Sequence, residues 1–176
     1  AAASAVANPA GTVAIMPVLG VATATAVVVG QNLGAKKPER AEEGVKLSVL
    51  MNGGFMAVMG AIFYIAAPAI IEIFDPSGAS TAVGVSYMRT VAPFYIAMAI
   101  AIILAFALNG AGDTKKPMYA TLFSMVLIQI PLAYILPDLL RIGIDGIWLA
   151  VICGIILQLS LLFAMYRRGN WKKATI

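Results

Sequence analysis

Charged residues divide this chain into apolar segments of a particular length. Five stretches carry no charge: Ala1 to Ala35, Leu47 to Ile71, Thr90 to Gly112, Pro117 to Pro137 and Gly146 to Tyr166. A helix needs about 20 apolar residues to cross a bilayer, so each stretch is long enough. In lipid every backbone N–H and C=O must be satisfied internally, which leaves helices or a closed barrel. Barrel strands would alternate polar and apolar residues, and these segments do not. The expected fold class is therefore all-α, a polytopic transmembrane helix bundle of about five helices.

Composition closes off the water-soluble alternative. Of 176 residues, 61% are hydrophobic and 11% charged, and the mean hydropathy is +0.94. Eight acids and twelve bases cannot clothe a soluble domain of this size. The net charge of +4 comes from short basic clusters between the apolar runs. Such clusters point to lipid headgroups rather than to nucleic acid. Cys153 lies inside an apolar run and reads as core filler. The chain opens on Ala1-Ala2-Ala3-Ser4, with no base before Lys36 and no initiator Met. It thus lacks the basic first region of a signal peptide, and the expectation is that the true N-terminus precedes Ala1.

The connections carry recognisable turn chemistry. Pro38 suits a first helical position and Glu39, Glu42 and Glu43 suit a first turn, predicting a short amphipathic helix on the membrane surface. Asp75-Pro76-Ser77-Gly78 has the residues of a type I turn. Gly110 is expected to cap the third membrane helix, Asp113 or Thr114 to start the fourth, and Asp145 to start the fifth.

Topology follows from the bases. Lys36, Lys37, Arg40 and Lys46, then Lys115 and Lys116, then Arg167, Arg168, Lys172 and Lys173 account for all of the twelve except Arg89 and Arg141. With five crossings these three clusters fall on one face, which the positive-inside rule makes cytoplasmic. The C-terminus is then inside and Ala1 begins outside. An odd number of crossings suggests part of something larger, and no internal repeat is visible.

Several motifs, in order and in spacing, resemble one transporter family. Ala22-Thr23-Ala24-Thr25, Val29-Gly30-Gln31-Asn32-Leu33-Gly34-Ala35 and Lys37-Pro38-Glu39-Arg40-Ala41 resemble the end of the eighth helix of multidrug and toxic compound extrusion (MATE) transporters. Ala107-Leu108-Asn109-Gly110-Ala111-Gly112-Asp113-Thr114-Lys115-Lys116-Pro117-Met118 is similar to the family's loop between helices ten and eleven. Ile130-Pro131-Leu132-Ala133-Tyr134 and Gly143-Ile144-Asp145-Gly146-Ile147-Trp148-Leu149-Ala150 resemble its eleventh helix and the start of its twelfth. The resemblance runs from about Gly20 onward. It implies that residues 1–176 form a partial C-terminal lobe, helices eight to twelve, of a twelve-helix, two-lobe transporter. Helix seven and the N-terminal lobe would then lie outside this sequence.

Polar groups inside a membrane are the default functional candidates, and few are present. Asn52 and Gln158 lie within the second and fifth helices, Gln129 lies two residues before Pro131 in the fourth, and Thr23, Thr25 and Asn109 lie nearer helix ends. For each, structural hydrogen bonding between helices competes with substrate contact. The substrate-binding candidates are Gln129, Met98, Tyr95 and Asn52, with Gln129 foremost because Pro131 bends the axis and frees a carbonyl beside it. Pro68 and Pro93 sit near helix ends. Met56, Met59, Met98 and Met125, with Phe94, Tyr95 and Phe106, could give soft, adaptable walls. Gly30, Gly34, Gly110 and Pro131 are the gate or hinge candidates, small residues letting helix ends turn and approach.

No acid lies deep in any of the five segments; Glu72 and Asp75 fall at the outer rim. Part of the family carries an acid of a cation site on its tenth helix, and alignment from the Gly110 motif puts Met98 there. The resemblance then implies a coupling acid in the missing lobe or the missing seventh helix. No His, CxxC, P-loop or nucleophile motif is present, so metalloenzyme, nucleotide-driven pump and hydrolase chemistries lack their parts. The expected function is a secondary active antiporter, not an enzyme, without cofactor or protein-bound metal. It would export organic, often cationic, compounds in exchange for sodium ions or protons by alternating access. Its expected partners are a small-molecule substrate, the lipid bilayer and the N-terminal lobe of the same parent chain, with no nucleic acid, and its expected place is the plasma (inner) membrane. The alternatives are a lipid-linked saccharide flippase of the same superfamily, which would put bases in the cavity, and a non-transporting membrane structural subunit.

Overall fold

The computed structural model describes residues 2–74 and 81–173. Eight α-helices appear among them: α1 (Ala2–Gly34), α2 (Pro38–Ile65), α3 (Ala67–Phe74), α4 (Thr81–Val91), α5 (Tyr95–Gly110), α6 (Lys115–Leu122), α7 (Ile130–Leu139) and α8 (Asp145–Arg167). A 3-10 turn over Ala92–Phe94 joins α4 to α5, and a π-helical turn over Phe123–Gln129 joins α6 to α7. A second 3-10 turn, Asn170–Lys173, follows α8. Joined in this way they make five helices long and apolar enough to cross a membrane, so the chain is a multi-pass membrane protein.

The boundaries differ from those expected, and proline accounts for most of the differences. The segment expected over 47–71 is split at Ala66, because Pro68 has no N–H to donate to the Tyr64 carbonyl and its ring crowds that carbonyl. Its start moves the other way. The expected surface helix is the first turns of α2 itself, with Pro38 in the first turn, no breaker before Leu47, and Ala41 and Val45 buried. The segment expected over 90–112 begins at Thr81 and is bent by the 3-10 turn around Pro93. The fourth, expected over 117–137, covers Lys115–Leu139, and the fifth, expected over 146–166, covers Asp145–Arg167. The first, expected over 1–35, corresponds to α1, which ends at Gly34. The expected turn at Asp75-Pro76-Ser77-Gly78 lies outside the described residues.

Helix ends also depart from the expected glycines. Gly110 is the last residue of α5, and Gly112, at φ 79°, takes the left-handed turn position. After α1 that position falls to Lys36 at φ 57°, while Gly34 stays helical, exposed and clear of any neighbour. Thr114 precedes α6 without a side-chain cap, and α8 does begin at Asp145.

Two buried clusters hold the bundle together. The inner one joins Val29, Leu33, Ala41, Val45, Leu104, Ala107, Leu108, Leu162 and Trp171 at the end that bears the basic clusters. The outer one joins Val18, Met56, Phe63, Ile71, Met88 and Tyr95. In lipid no hydrophobic effect separates helix from solvent, so packing supplies the attraction. Glycine makes it close. A Cβ on Gly110 would stand 2.2 Å from the Ala26 carbonyl oxygen, and one on Gly60 2.8 Å from that of Ala92. Helices α1, α2 and α5 thus form a backbone-tight trio, against which α8 leans and carries α6 and α7.

Candidate transport face

The fourth span is the least conventional element. Pro131 has no N–H to donate, and its ring crowds the carbonyl four residues earlier. Here the chain widens into a π turn over Phe123–Gln129 just before it, and helix resumes with Pro131 in its first turn. The expected bend at Pro131 is therefore resolved as a change of helical register, a feature that recurs at functional positions. Ser124 lies within this turn, buried, and its Oγ has no hydrogen-bond partner among the described residues.

Gln129 closes the π turn. Its side chain is half-buried and lies in the notch of Gly154 on α8, where a Cβ would come within 2.8 Å of its Oε1. Nearby in sequence, Gln158 Nε2 donates to Thr121 Oγ1 at 3.0 Å, so α6 and α8 share a polar link. Beside this seam runs an apolar groove of about 420 Å³, lined by Tyr119, Phe123, Leu127, Leu161 and Met165 among others.

The other candidates sit elsewhere. Tyr95 is buried in the outer cluster, its ring edge-on to Phe63 at 5.9 Å, and Met98 packs at the margin of the same cluster. Asn52, on α2 one turn from buried Met56, is itself buried, and its Nδ2 has no partner among the described residues. One turn the other way, Ser48 Oγ donates to the Gly44 carbonyl oxygen at 2.9 Å and stands 2.7 Å from Thr25 Oγ1 of α1, whose one proton goes either across to Ser48 or to the Val21 carbonyl oxygen of its own helix, also 2.7 Å away. The structure thus gathers Tyr95 and Met98 in one cluster and holds Gln129 apart at the α8 seam. Thr23 bonds its own helix at Leu19, and Asn109 is exposed.

Among the hinge candidates, Gly30 and Gly110 face one another across α1 and α5: a Cβ on Gly30 would lie 3.2 Å from the Gly110 carbonyl oxygen. Gly34 takes no part in this contact. Two features escaped sequence reasoning. Gly146, seen there only as a span start and motif residue, and Gly154, not singled out at all, are close-approach points for Pro137 and Gln129. The π turn had one signal, a proline deep in a long apolar run, but its register depends on the packing of α8.

The C-terminal residues close the end that bears the basic clusters. Trp171 is buried, stacks on Tyr166 at 5.0 Å and donates from Nε1 to the Tyr166 carbonyl oxygen at 3.0 Å. Beside it Lys172 Nζ reaches Glu42 at 2.5 Å, and Lys46 holds the same carboxylate at 3.0 Å. Glu42 stands in the charged first turns of α2, before the apolar run that begins at Leu47. The two lysines, Lys172 foremost, hold its carboxyl below the ordinary value of 4.5.

Comparison with known proteins places this architecture. The chain is 24% identical over 161 residues to a probable multidrug resistance protein NorM of Thermotoga maritima, covering 92% of this chain and 35% of that protein. It is 29% identical to the multidrug resistance protein NorM of Burkholderia vietnamiensis, covering 81% of this chain and 32% of that one. The chain therefore spans about a third of the length of these relatives. Its fold superimposes on the eukaryotic MATE transporter AtDTX14 with a TM-score of 0.89 at 22% identity, covering 98% of this chain and 39% of that one. On a MOP superfamily transporter from Pyrococcus furiosus the TM-score is 0.90 at 22% identity, with 99% and 39% covered. The family model MatE matches residues 1–135; the chain belongs to the MatE family.

Proposed function

We propose that this chain forms the C-terminal lobe, helices eight to twelve, of a two-lobe secondary active antiporter in the plasma (inner) membrane, with its C-terminus cytoplasmic. The parent protein exports organic, often cationic, compounds in exchange for sodium ions or protons by alternating access. The observation that carries this reading is the MatE match over residues 1–135, within five membrane spans that cover only about a third of the length of transporter relatives. Those relatives are named for multidrug resistance, which supports export of organic compounds. The exposed, groove-bearing face of the fourth span offers a surface for the opposite lobe or for the cavity between lobes.

In this reading Gln129, Met98, Tyr95 and Asn52 contribute to substrate contact, Gln129 most directly because it ends the π turn. Gly30, Gly34, Gly110 and Pro131 serve as gate or hinge positions. Met98 occupies the place of an acid found in part of the family, so the coupling carboxylate belongs to the rest of the parent protein. The test is efflux of a fluorescent organic cation from vesicles holding the full-length parent, with sodium and proton gradients imposed separately. Export that follows one gradient establishes antiport and names the ion. Export under neither, with movement of a saccharide-linked lipid instead, replaces this reading with a flippase.

A further inference from the structure

A second groove lies at the opposite, outer end of the bundle, between α2 and the 3-10 turn that bends α4 into α5. It has a volume of about 340 Å³ and is lined by Met56, Gly60, Tyr64, Ile65, Pro93 and Ile96 among others. Its walls are apolar, and it runs along α2 for roughly 14 Å from Met56 to Ile65. Gly60 makes the junction, since a Cβ there would meet the Ala92 carbonyl oxygen. The surrounding surface of α2 bears exposed Val58, Ile62 and Ile65, as a lipid-facing helix should.

Arg89 stands at the mouth of this groove. Its guanidinium lies 6.0 Å from the centre of the Tyr64 ring, and its Nε donates to the Tyr64 carbonyl oxygen at 3.4 Å. The side chain is exposed, and no described carboxylate lies within ion-pair reach of it. Depth decides what such a cation meets. From Arg89 to Gly110 the helix measures roughly 32 Å, against a hydrocarbon core of about 30 Å. With Gly110 at the inner boundary, Arg89 and Tyr64 fall at the outer headgroup level, where arginine and tyrosine meet phosphate. The groove descends from there toward the bilayer centre.

We propose that this elbow is a binding site for one anionic phospholipid, its phosphate on the terminal nitrogens of Arg89 and one acyl chain in the groove between α2 and α5. Tyr64 holds the guanidinium in place by its ring and carbonyl, leaving the fork of the guanidinium free for phosphate. Charge selects the lipid class, and the apolar channel accepts the chain. The site is independent of what the parent protein transports.

The full-length protein would carry a fluorophore at Ile65→Cys, with other cysteines replaced, in vesicles containing brominated phosphatidylglycerol or brominated phosphatidylcholine with matching chains. Quenching by phosphatidylglycerol is expected at about tenfold lower mole fraction, the value of one charge-assisted hydrogen bond. Arg89→Gln should bring the two lipids together, and Ala61→Phe, at an exposed groove position, should weaken quenching by both. Equal quenching by the two lipids with Arg89 intact overturns the proposal, as does a preference that survives Arg89→Gln. If the glutamine variant fails to insert, Ala61→Phe decides: unchanged quenching rejects the groove.

Discussion

The third and fourth spans, 30 and 25 residues long, are both apolar enough to cross a membrane but have opposite surroundings. In the most apolar part of the third, Thr81–Gly110, half of the residues are buried within the described chain; in that of the fourth, Lys115–Leu139, about a tenth are (50% against 11%). The third packs backbone to backbone through Gly110 and Gly60. The fourth leans on α8 through side chains along its π turn and α6, with Gln129 in the notch of Gly154 and Thr121 bonded to Gln158, and meets α8 backbone to backbone at its Pro137 end, against Gly146. A backbone contact has one solution, whereas a side-chain contact has several. The third span is thus built as scaffold, and the fourth, with its π turn and uncovered apolar face, as the part that has room to change register.

The sharpest way to break this contrast is to make the same substitution on both sides of it. Gly110→Ala places a Cβ against the Ala26 backbone, which cannot yield without moving α1. We expect a loss of about 3 kcal/mol, read as a large fall in thermal unfolding temperature in detergent. Gly154→Ala meets the Gln129 side chain, whose Oε1 at 2.8 Å can rotate away while its Cβ at 3.1 Å must give by a few tenths of an ångström. The expected loss is about 1 kcal/mol, with a larger effect on transport by the parent protein than on its stability. Equal destabilisation by the two would remove the distinction.

Pro131→Ala probes the register itself. With an N–H restored, the turn over Phe123–Gln129 should relax toward α-helix. The expected gain in stability is about 1 kcal/mol, with slowed transport, and unchanged transport would take Pro131 out of the hinge. Asn52→Leu tests the scaffold side. Because Nδ2 is buried without a partner among the described residues, an apolar residue of similar volume should fold within about 1 kcal/mol of the original. Transport lost at unchanged stability would make Asn52 a working residue rather than a structural one.

The smallest effect is expected where the C-terminal turn meets α2. Glu42 is partly exposed, and Glu42→Gln should cost less than about 1 kcal/mol and become invisible at high salt. The folded carboxyl is held below its ordinary value, so the unfolded chain binds the proton first as pH falls. The contribution is therefore complete above the ordinary value and disappears as pH drops through the depressed one. Unfolding measured from neutral to acid pH in the native protein and the glutamine variant should converge at the acid end.

Legibility in the sequence followed the range of the interactions involved. The five crossings could be read because the cost of charge in lipid acts residue by residue, and the three basic clusters fall together for the same reason. Pro68 and Pro93, unremarkable near the ends of the expected segments, instead fall where the helix breaks and where it tightens into a 3-10 turn, because a proline has no N–H to continue the ladder. Gly34 and Gly110 show the limit. Both precede a turn, and local chemistry treats them alike, yet one faces open space and the other is pressed against Ala26. Gln129 could be singled out as a rare amide in an apolar run, but its seat against Gly154 could not.

The sequence by itself determined an all-helical, multi-pass membrane protein and the order of its spans, because hydration of charge and backbone saturation are properties of segments. Only the tertiary structure decided which glycines are contacts, where the helix widens into a π turn, and that Tyr95 and Met98 share a core while Gln129 lies at a separate seam. Those outcomes depend on which surfaces of distant helices fit, and packing between apolar helices in lipid is settled by shape, which no single segment contains.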